Sequence, residues 1–247
     1  MSKDEEFRKK IHDWLSSQGY PLEMQVSLAF KQSGFSIRQS NFYADPETGE
    51  SREIDVIATT EDLSWSKYVS YVIECKVSRD KPWVLFTTEN LFEGWNIFFT
   101  RAVLTEEARN VLIKAFSEDK DNPKFEWLRE KLLSGYGLTQ AFTSGRDIPH
   151  EAIMSVSKGA IARKVEQDKR AGGVFDVIFP VIIIDGRLFE CFLDNSCSVQ
   201  IREIEEGVLF SPRSIGGTLT SCIRLVTIKS LPEFSRKAYE MAKVVLT

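Results

Sequence analysis

Two short segments carry the residues best suited to chemistry, Ile54-Asp55-Val56-Ile57 and Val72-Ile73-Glu74-Cys75-Lys76-Val77. Side chains alternate across a strand, so Ser70, Val72, Glu74 and Lys76 share one face. Val69, Tyr71, Ile73, Cys75 and Val77 share the other, which reads as the core face. Glu74 and Lys76 are then neighbours, roughly 6.6 Å apart along the strand. A hairpin register that aligns the two segments brings Asp55 beside them. Three ionisable groups among apolar residues are costly unless they are paired or bind a metal. The chemistry that fits is metal-assisted phosphodiester hydrolysis. Asp55, Glu74 and the main-chain carbonyl of Cys75 offer hard oxygen ligands to Mg²⁺ or Mn²⁺. Such a metal polarises phosphate and lowers the pKa of bound water. Lys76 is placed to orient that water or to stabilise charge on the phosphate oxygens. A charged edge strand with a Glu–Lys pair and no catalysis fits the same pattern. Glu-x-Lys recurs at Glu118-Asp119-Lys120, which reads as a solvated helix end.

Little else in the chain competes for that chemistry. Its only histidines are His12 and His150, which excludes histidine clusters and most zinc hydrolases. A Ser-His-Asp triad has to use one of these two. Cys75, Cys191, Cys197 and Cys222 form no CxxC pair, so they read as reduced thiols and not as a zinc knuckle. The 247 residues carry a net charge of −4 and a pI near 5.5. That balance opposes coating nucleic acid by bulk charge and leaves room for a local basic groove. With 43% hydrophobic and 28% charged residues the chain reads as globular. The longest apolar run, Val177 to Ile184, is too short to span a bilayer. A charged N-terminus without an apolar core predicts no secretory signal, hence a cytoplasmic protein with no membrane partner.

The elements that must position the site follow from periodicity. Asp4 is a possible cap for a first helix with Phe7, Ile11, Trp14 and Leu15 on one face, stopped at Gly19. Pro21 starts a second, with Leu22, Val26, Ala29 and Phe30 as its stripe, ending at Gly34. Alternation over 35–39, 52–59 and 68–77 predicts three strands in an antiparallel meander. Residues of about 85–145 read as a helical insertion whose aromatics, among them Phe92, Trp95, Phe98, Phe99, Phe125 and Trp127, form a core. A helix is expected from Asp147 to about Lys169. Strands at 181–184 and 187–193 are expected to turn at Asp185-Gly186, with Pro180 before them or on an edge. Two more strands, 198–204 and 222–228, precede a helix opened by a Ser230–Glu233 capping box.

The arrangement resembles the PD-(D/E)xK nuclease superfamily, on Ile54-Asp55, Glu74-Cys75-Lys76 and the helix-borne Glu23 of Pro21-Leu22-Glu23-Met24-Gln25-Val26. The resemblance covers roughly residues 20 to 80. It implies an α/β, restriction-endonuclease-like fold with a central mixed β-sheet flanked by helices, and the absence of any repeat, low-complexity stretch or obvious linker predicts a single domain over 1–247. By position, Asp55 and Glu74 become metal ligands, Lys76 the catalytic lysine, and Glu23 a further ligand or water-positioning acid. Ile54 replaces the family's proline, and no downstream Gln-x-x-x-Tyr element is evident.

Read this way, the chain is a metal-dependent nuclease acting on DNA, in defence or repair, and a homodimer is an option for cutting two strands. A catalytically inactive nuclease-fold module and a structural subunit using the aromatic middle are the competing readings. Arg79 and Lys81, just after the site strand, are phosphate-binding candidates. Lys158, Arg163 and Lys164 lie in a stretch with a local positive excess, which is either a DNA contact or a solvated helix face. Arg52 reads as a surface residue, Glu23 also as a helix-dipole acid, and His12 and His150 as non-catalytic.

Overall fold

A computed structural model describes residues 2–61, 66–88, 101–130, 133–143, 145, 147–219 and 222–247. Helix α1 (Lys3–Ser17) is capped by Ser2 and not by Asp4. The Ser2 hydroxyl accepts the Glu5 N–H, and the Glu5 carboxylate accepts the Ser2 N–H. Helix α2 (Tyr20–Ser33) has Pro21 in its first turn and stops at Gly34. Gly34 has φ 113°, and a Cβ there would strike the Tyr239 ring. Leu22, Val26 and Phe30 are buried against the sheet.

Strands β1 (Ser36–Ala44), β2 (Ser51–Glu61) and β3 (Lys67–Thr87) form the expected antiparallel meander. β3 then continues well beyond Val77, in parallel with β6 (Phe175–Leu193). The expected turn at Asp185-Gly186 does not exist, because β6 runs straight through it. Gly186 serves close approach instead. A Cβ there would lie 2.4 Å from the Ser78 carbonyl oxygen, beside the register shift between Ser78 and Trp83. Pro180 also lies inside β6, not on an edge. It falls between the β6 stretches paired to β4 (Val103–Leu104) and to β11 (Ile223–Thr227), so neither strand needs an N–H from it.

Among the described residues of the middle, β3 reaches Thr87 and β5 (Ser134–Gln140) is a sheet strand, and the helical elements described in full are α3 (Glu106–Glu118), a 3₁₀ turn (Pro123–Phe125) and α4 (Glu126–Arg129). Phe125, Trp127 and Trp83 are core residues. Phe92, Trp95, Phe98 and Phe99 lie outside the described residues.

Helix α5 (Ile148–Asp168), β7 (Val199–Ile204), β8 (Glu206–Leu209), a small β9 (Ser214–Ile215) and β10 (Thr218–Leu219) hairpin, and α6 (Leu231–Leu246) complete the order. Ser230 precedes α6, but its hydroxyl turns to the Glu205 and Thr227 carbonyls, so the expected capping box is not made. The large sheet is mixed, in the order β1-β2-β3-β5-β8-β11-β6-β4, with β7 on β6 and β3 also on β6. Helices α2, α3 and α6 cover one apolar face, and α5 covers the other. Val69, Tyr71, Ile73 and Cys75 face the first core and Val72 the second, so β3 is buried on both sides. No helix among the described residues is long and apolar enough to cross a membrane.

Candidate active site

The β2–β3 ladder ends at Val56↔Ile73, one residue short of Asp55. At that point Asp55 Oδ2 accepts the Cys75 N–H at 2.7 Å. A side chain thus takes the place of the next ladder bond, and the strands need not stay paired beyond it. The alternation of β2 slips here as well. Ile54 and Ile57 pack on the α5 side, and Val56 packs on the opposite one. On β1, Ser40 has φ 48°, between the Gln39↔Val56 and Asn41↔Ile54 pairs.

Glu74 is buried, and its two oxygens are bracketed. Oε1 accepts from Lys76 Nζ at 2.5 Å, and Oε2 accepts from Ser155 Oγ at 2.7 Å. Ser155 comes from α5, which can lie this close because of Gly159. A Cβ at 159 would sit 2.9 Å from the Ile54 side chain. Glu23, in the first turn of α2, is near enough to Asp55 and Glu74 to interact with both. The four residues expected to carry the site are therefore gathered from α2, β2 and β3.

The electrostatics are those of crowded carboxylates. Burial, then the neighbouring Glu74 carboxylate, pushes the Asp55 carboxyl up to about 7, against the pull of the Cys75 N–H and Lys76. Glu23 is raised by burial, Glu53 and Glu74. Burial disfavours the Lys76 ammonium, but Glu74 and Asp55 outweigh it and hold its pKa above that of an ordinary lysine. The Cys75 thiol is pushed far up, first by burial and then by Asp55, so it stays protonated and only its main chain is available.

Glu74 and Lys76 open onto a cleft of about 430 Å³ between the sheet and α5. Arg52, His150, Ser155 and Lys158 line it too. On α5, Glu151, Met154, Ser155 and Lys158 follow an i, i+3, i+4, i+7 spacing, so one helix face forms the wall. Sequence reasoning missed Ser155 and the cleft positions of Arg52 and His150. That spacing was the only available signal, and it has meaning only once α5 is known to face β3.

The expected phosphate contacts separate into two groups. Arg79 and Lys81 are exposed, but they lie within β3, at its register shift between Ser78 and Trp83, and not after the strand; Arg79 pairs with Asp185 at 2.6 Å. Lys158 and Arg163 are buried, which corrects the solvated-face reading for these two residues, and Lys158 also lines the cleft. Lys158 Nζ binds Asp45 at 2.9 Å and Glu47 at 2.8 Å, and Arg163 binds the buried Asp176 at 2.9 Å. Lys164 is held by Glu106 and Asp168. The reason is that α5 covers the sheet and is buried on most sides, so its cations need internal partners.

In kind, the donors suit Mg²⁺ or Mn²⁺. Asp55, Glu74 and the Cys75 carbonyl are hard oxygens, and the Asp55 carboxyl, raised first by burial and then by the Glu74 charge, is one whose ionised form a cation would favour. Among the described residues, no group of three or more His, Cys, Asp and Glu side chains already stands in a metal-holding arrangement. Compared with protein-family models, curated proteins and solved structures, the chain matches none.

Proposed function

We propose that this chain is a divalent-metal-dependent nuclease of restriction-endonuclease-like fold that hydrolyses phosphodiester bonds in DNA. One observation carries the reading: Asp55, Glu74 and Lys76 meet where the β2–β3 ladder ends, with the Asp55 carboxyl raised to about 7 by burial and by Glu74. Asp55, Glu74 and the Cys75 carbonyl would hold the cation, with Glu23 beside them. The cation, when bound, supplies Lewis acidity toward phosphate and water. Lys76, kept charged by Glu74, is set to stabilise negative charge developing on the phosphate oxygens. Ser155 fixes the Glu74 carboxylate from the α5 side. Arg79 and Lys81, exposed on β3 three and five residues beyond Lys76, would meet the DNA backbone.

A second reading is favoured by the internal engagement of both Glu74 oxygens, which suits a catalytically inactive module of the same fold. Calorimetric titration with Mn²⁺ separates the two. The nuclease reading expects heat of binding in the wild type and none in Asp55→Ala. Equal, negligible heats in both proteins support the inactive module.

A further inference from the structure

Between α6, β8, β11 and the segment of the 3₁₀ turn and α4 lies a cavity of about 430 Å³. It is on the sheet face covered by α6, opposite the cleft at Glu74. Its size falls within the ~300–1,000 Å³ of small-molecule sites. One wall is a face of α6, with Phe234, Ala238, Met241 and Val245 at i, i+4, i+7 and i+11. Tyr71 of β3 and Trp127 of α4 complete the apolar part of the lining. Glu206 and Arg224 come from the paired strands β8 and β11. A smaller cavity of about 100 Å³ shares Glu206, Arg224 and Phe234, so open space continues beside the two charged residues.

The lining holds polar groups that the protein does not satisfy. Trp127 is 3% exposed, and its indole N–H has no hydrogen-bond partner among the described residues. A buried tryptophan N–H usually has one, and indole can only donate. The cavity therefore wants an acceptor. Its charged lining has four carboxylates against three cations. Two of those cations are already paired, Arg224 with Glu130 at 3.0 Å and Lys237 with Glu233 at 2.7 Å. An anionic ligand thus meets a wall of net negative charge. Burial disfavours the Glu206 charge, which a donor from a ligand would offset.

We propose that this cavity is a binding site for a small neutral molecule with an apolar body and a carboxamide group. An amide offers both things the lining lacks, an acceptor for the Trp127 N–H and a donor for a carboxylate such as Glu206. A carboxylate head offers only the first, and an ammonium head only the second.

The test is ¹⁵N NMR of the full chain, following the tryptophan indole N–H signals as probe is added. Trp127→Phe keeps an aromatic ring in the core and identifies the Trp127 signal by its loss. Four probes share one apolar body and differ in the head: phenylacetamide, phenylacetate, 2-phenylethylamine and ethylbenzene. Phenylacetamide is expected to move the Trp127 signal saturably and to bind about tenfold more tightly than the other three. Backbone amide shifts report affinity in the variants, and circular dichroism checks that each is folded. Trp127→Phe should weaken phenylacetamide by about tenfold. Glu206→Gln removes the excess negative charge, so it should bring phenylacetate and phenylacetamide closer in affinity, and it carries the test alone if Trp127→Phe does not fold. A Trp127 signal unmoved by millimolar phenylacetamide overturns the proposal. So does undiminished binding to Trp127→Phe, which would leave the N–H without a role. Phenylacetate or ethylbenzene bound as tightly as phenylacetamide overturns the assignment to a neutral amide. None of these readouts uses metal or cleavage, so they stand apart from the nuclease proposal.

Discussion

At Asp55 a carboxylate is held where its charge is disfavoured. Its folded pKa, about 7, lies above the ordinary carboxylate value, so the folded protein binds this proton more tightly than the unfolded chain does. The stability it contributes is complete below the ordinary value and is lost as pH rises through about 7. Asp55→Asn keeps an acceptor for the Cys75 N–H and removes the titration. In metal-free buffer at about pH 8 it should be more stable than wild type by roughly 1–3 kcal/mol, and the gap should narrow toward about pH 5. Thermal melts at several pH values measure this, and parallel curves for the two proteins would remove the crowded-carboxylate account. Lys76 has a different role, because it offers no oxygen to a cation. Lys76→Ala should lower cleavage by about 10²–10³ while binding Mn²⁺ no worse than wild type. Equal cleavage rates would place the chemistry elsewhere.

At the scale of elements, the site depends on how closely α5 lies on β2 and β3. Gly159 permits that approach, so Gly159→Leu should push the helix from Ile54 and Val72 and cost about 1–3 kcal/mol, read as a lower melting temperature. An unchanged melt would mean that α5 yields without loss. The β1–β2 turn is tied to the same helix through Asp45. Burial opposes its charge, but Lys158, the Glu47 and Thr48 N–H groups and Arg52 outweigh it and hold the carboxyl well below the usual range. Its contribution is therefore full at neutral pH and fades only in strong acid. Asp45→Ala leaves Lys158 with Glu47 as its remaining acid and should cost about 1–3 kcal/mol. A loss under 1 kcal/mol, on the order of a surface pair, would contradict the buried-pair reading. The β1–β3 meander was legible because β1 and β2 keep exposed positions and polar segments separate the three strands, although β3 itself is buried on both sides. The bounds of α5 were legible too, from Asp147 to about Lys169, but not the side on which it is buried. β6 was not legible, because it is buried on both faces and Asp185-Gly186 looks like a turn where it is a close crossing of backbones. Lys158 and Arg163 looked like a basic patch because their partners, Asp45 and Asp176, are distant in sequence.

At the scale of the whole molecule, the helices on the two faces of the sheet bring distant segments to one place. Glu23 comes from α2, Asp55 and Glu74 from neighbouring strands, and Ser155 from a helix 81 residues beyond Glu74. The strand-borne part of the site could be read from sequence because alternation places Glu74 and Lys76 together. The α5 wall could not, because only the tertiary fold sets Ser155 against Glu74. A cation that binds this gathered site and not the unfolded chain should raise the melting temperature. At a hundredfold excess over Kd the gain is about 2.7 kcal/mol. The central claim is tested most directly by incubating the full chain with plasmid, single-stranded and branched DNA in Mg²⁺ or Mn²⁺, with chelator and Lys76→Ala as controls. The account predicts cleavage of at least one substrate by the wild type in metal, abolished by chelator and reduced to near background in Lys76→Ala. Intact DNA in every metal condition, or cleavage that persists undiminished in Lys76→Ala, would contradict it.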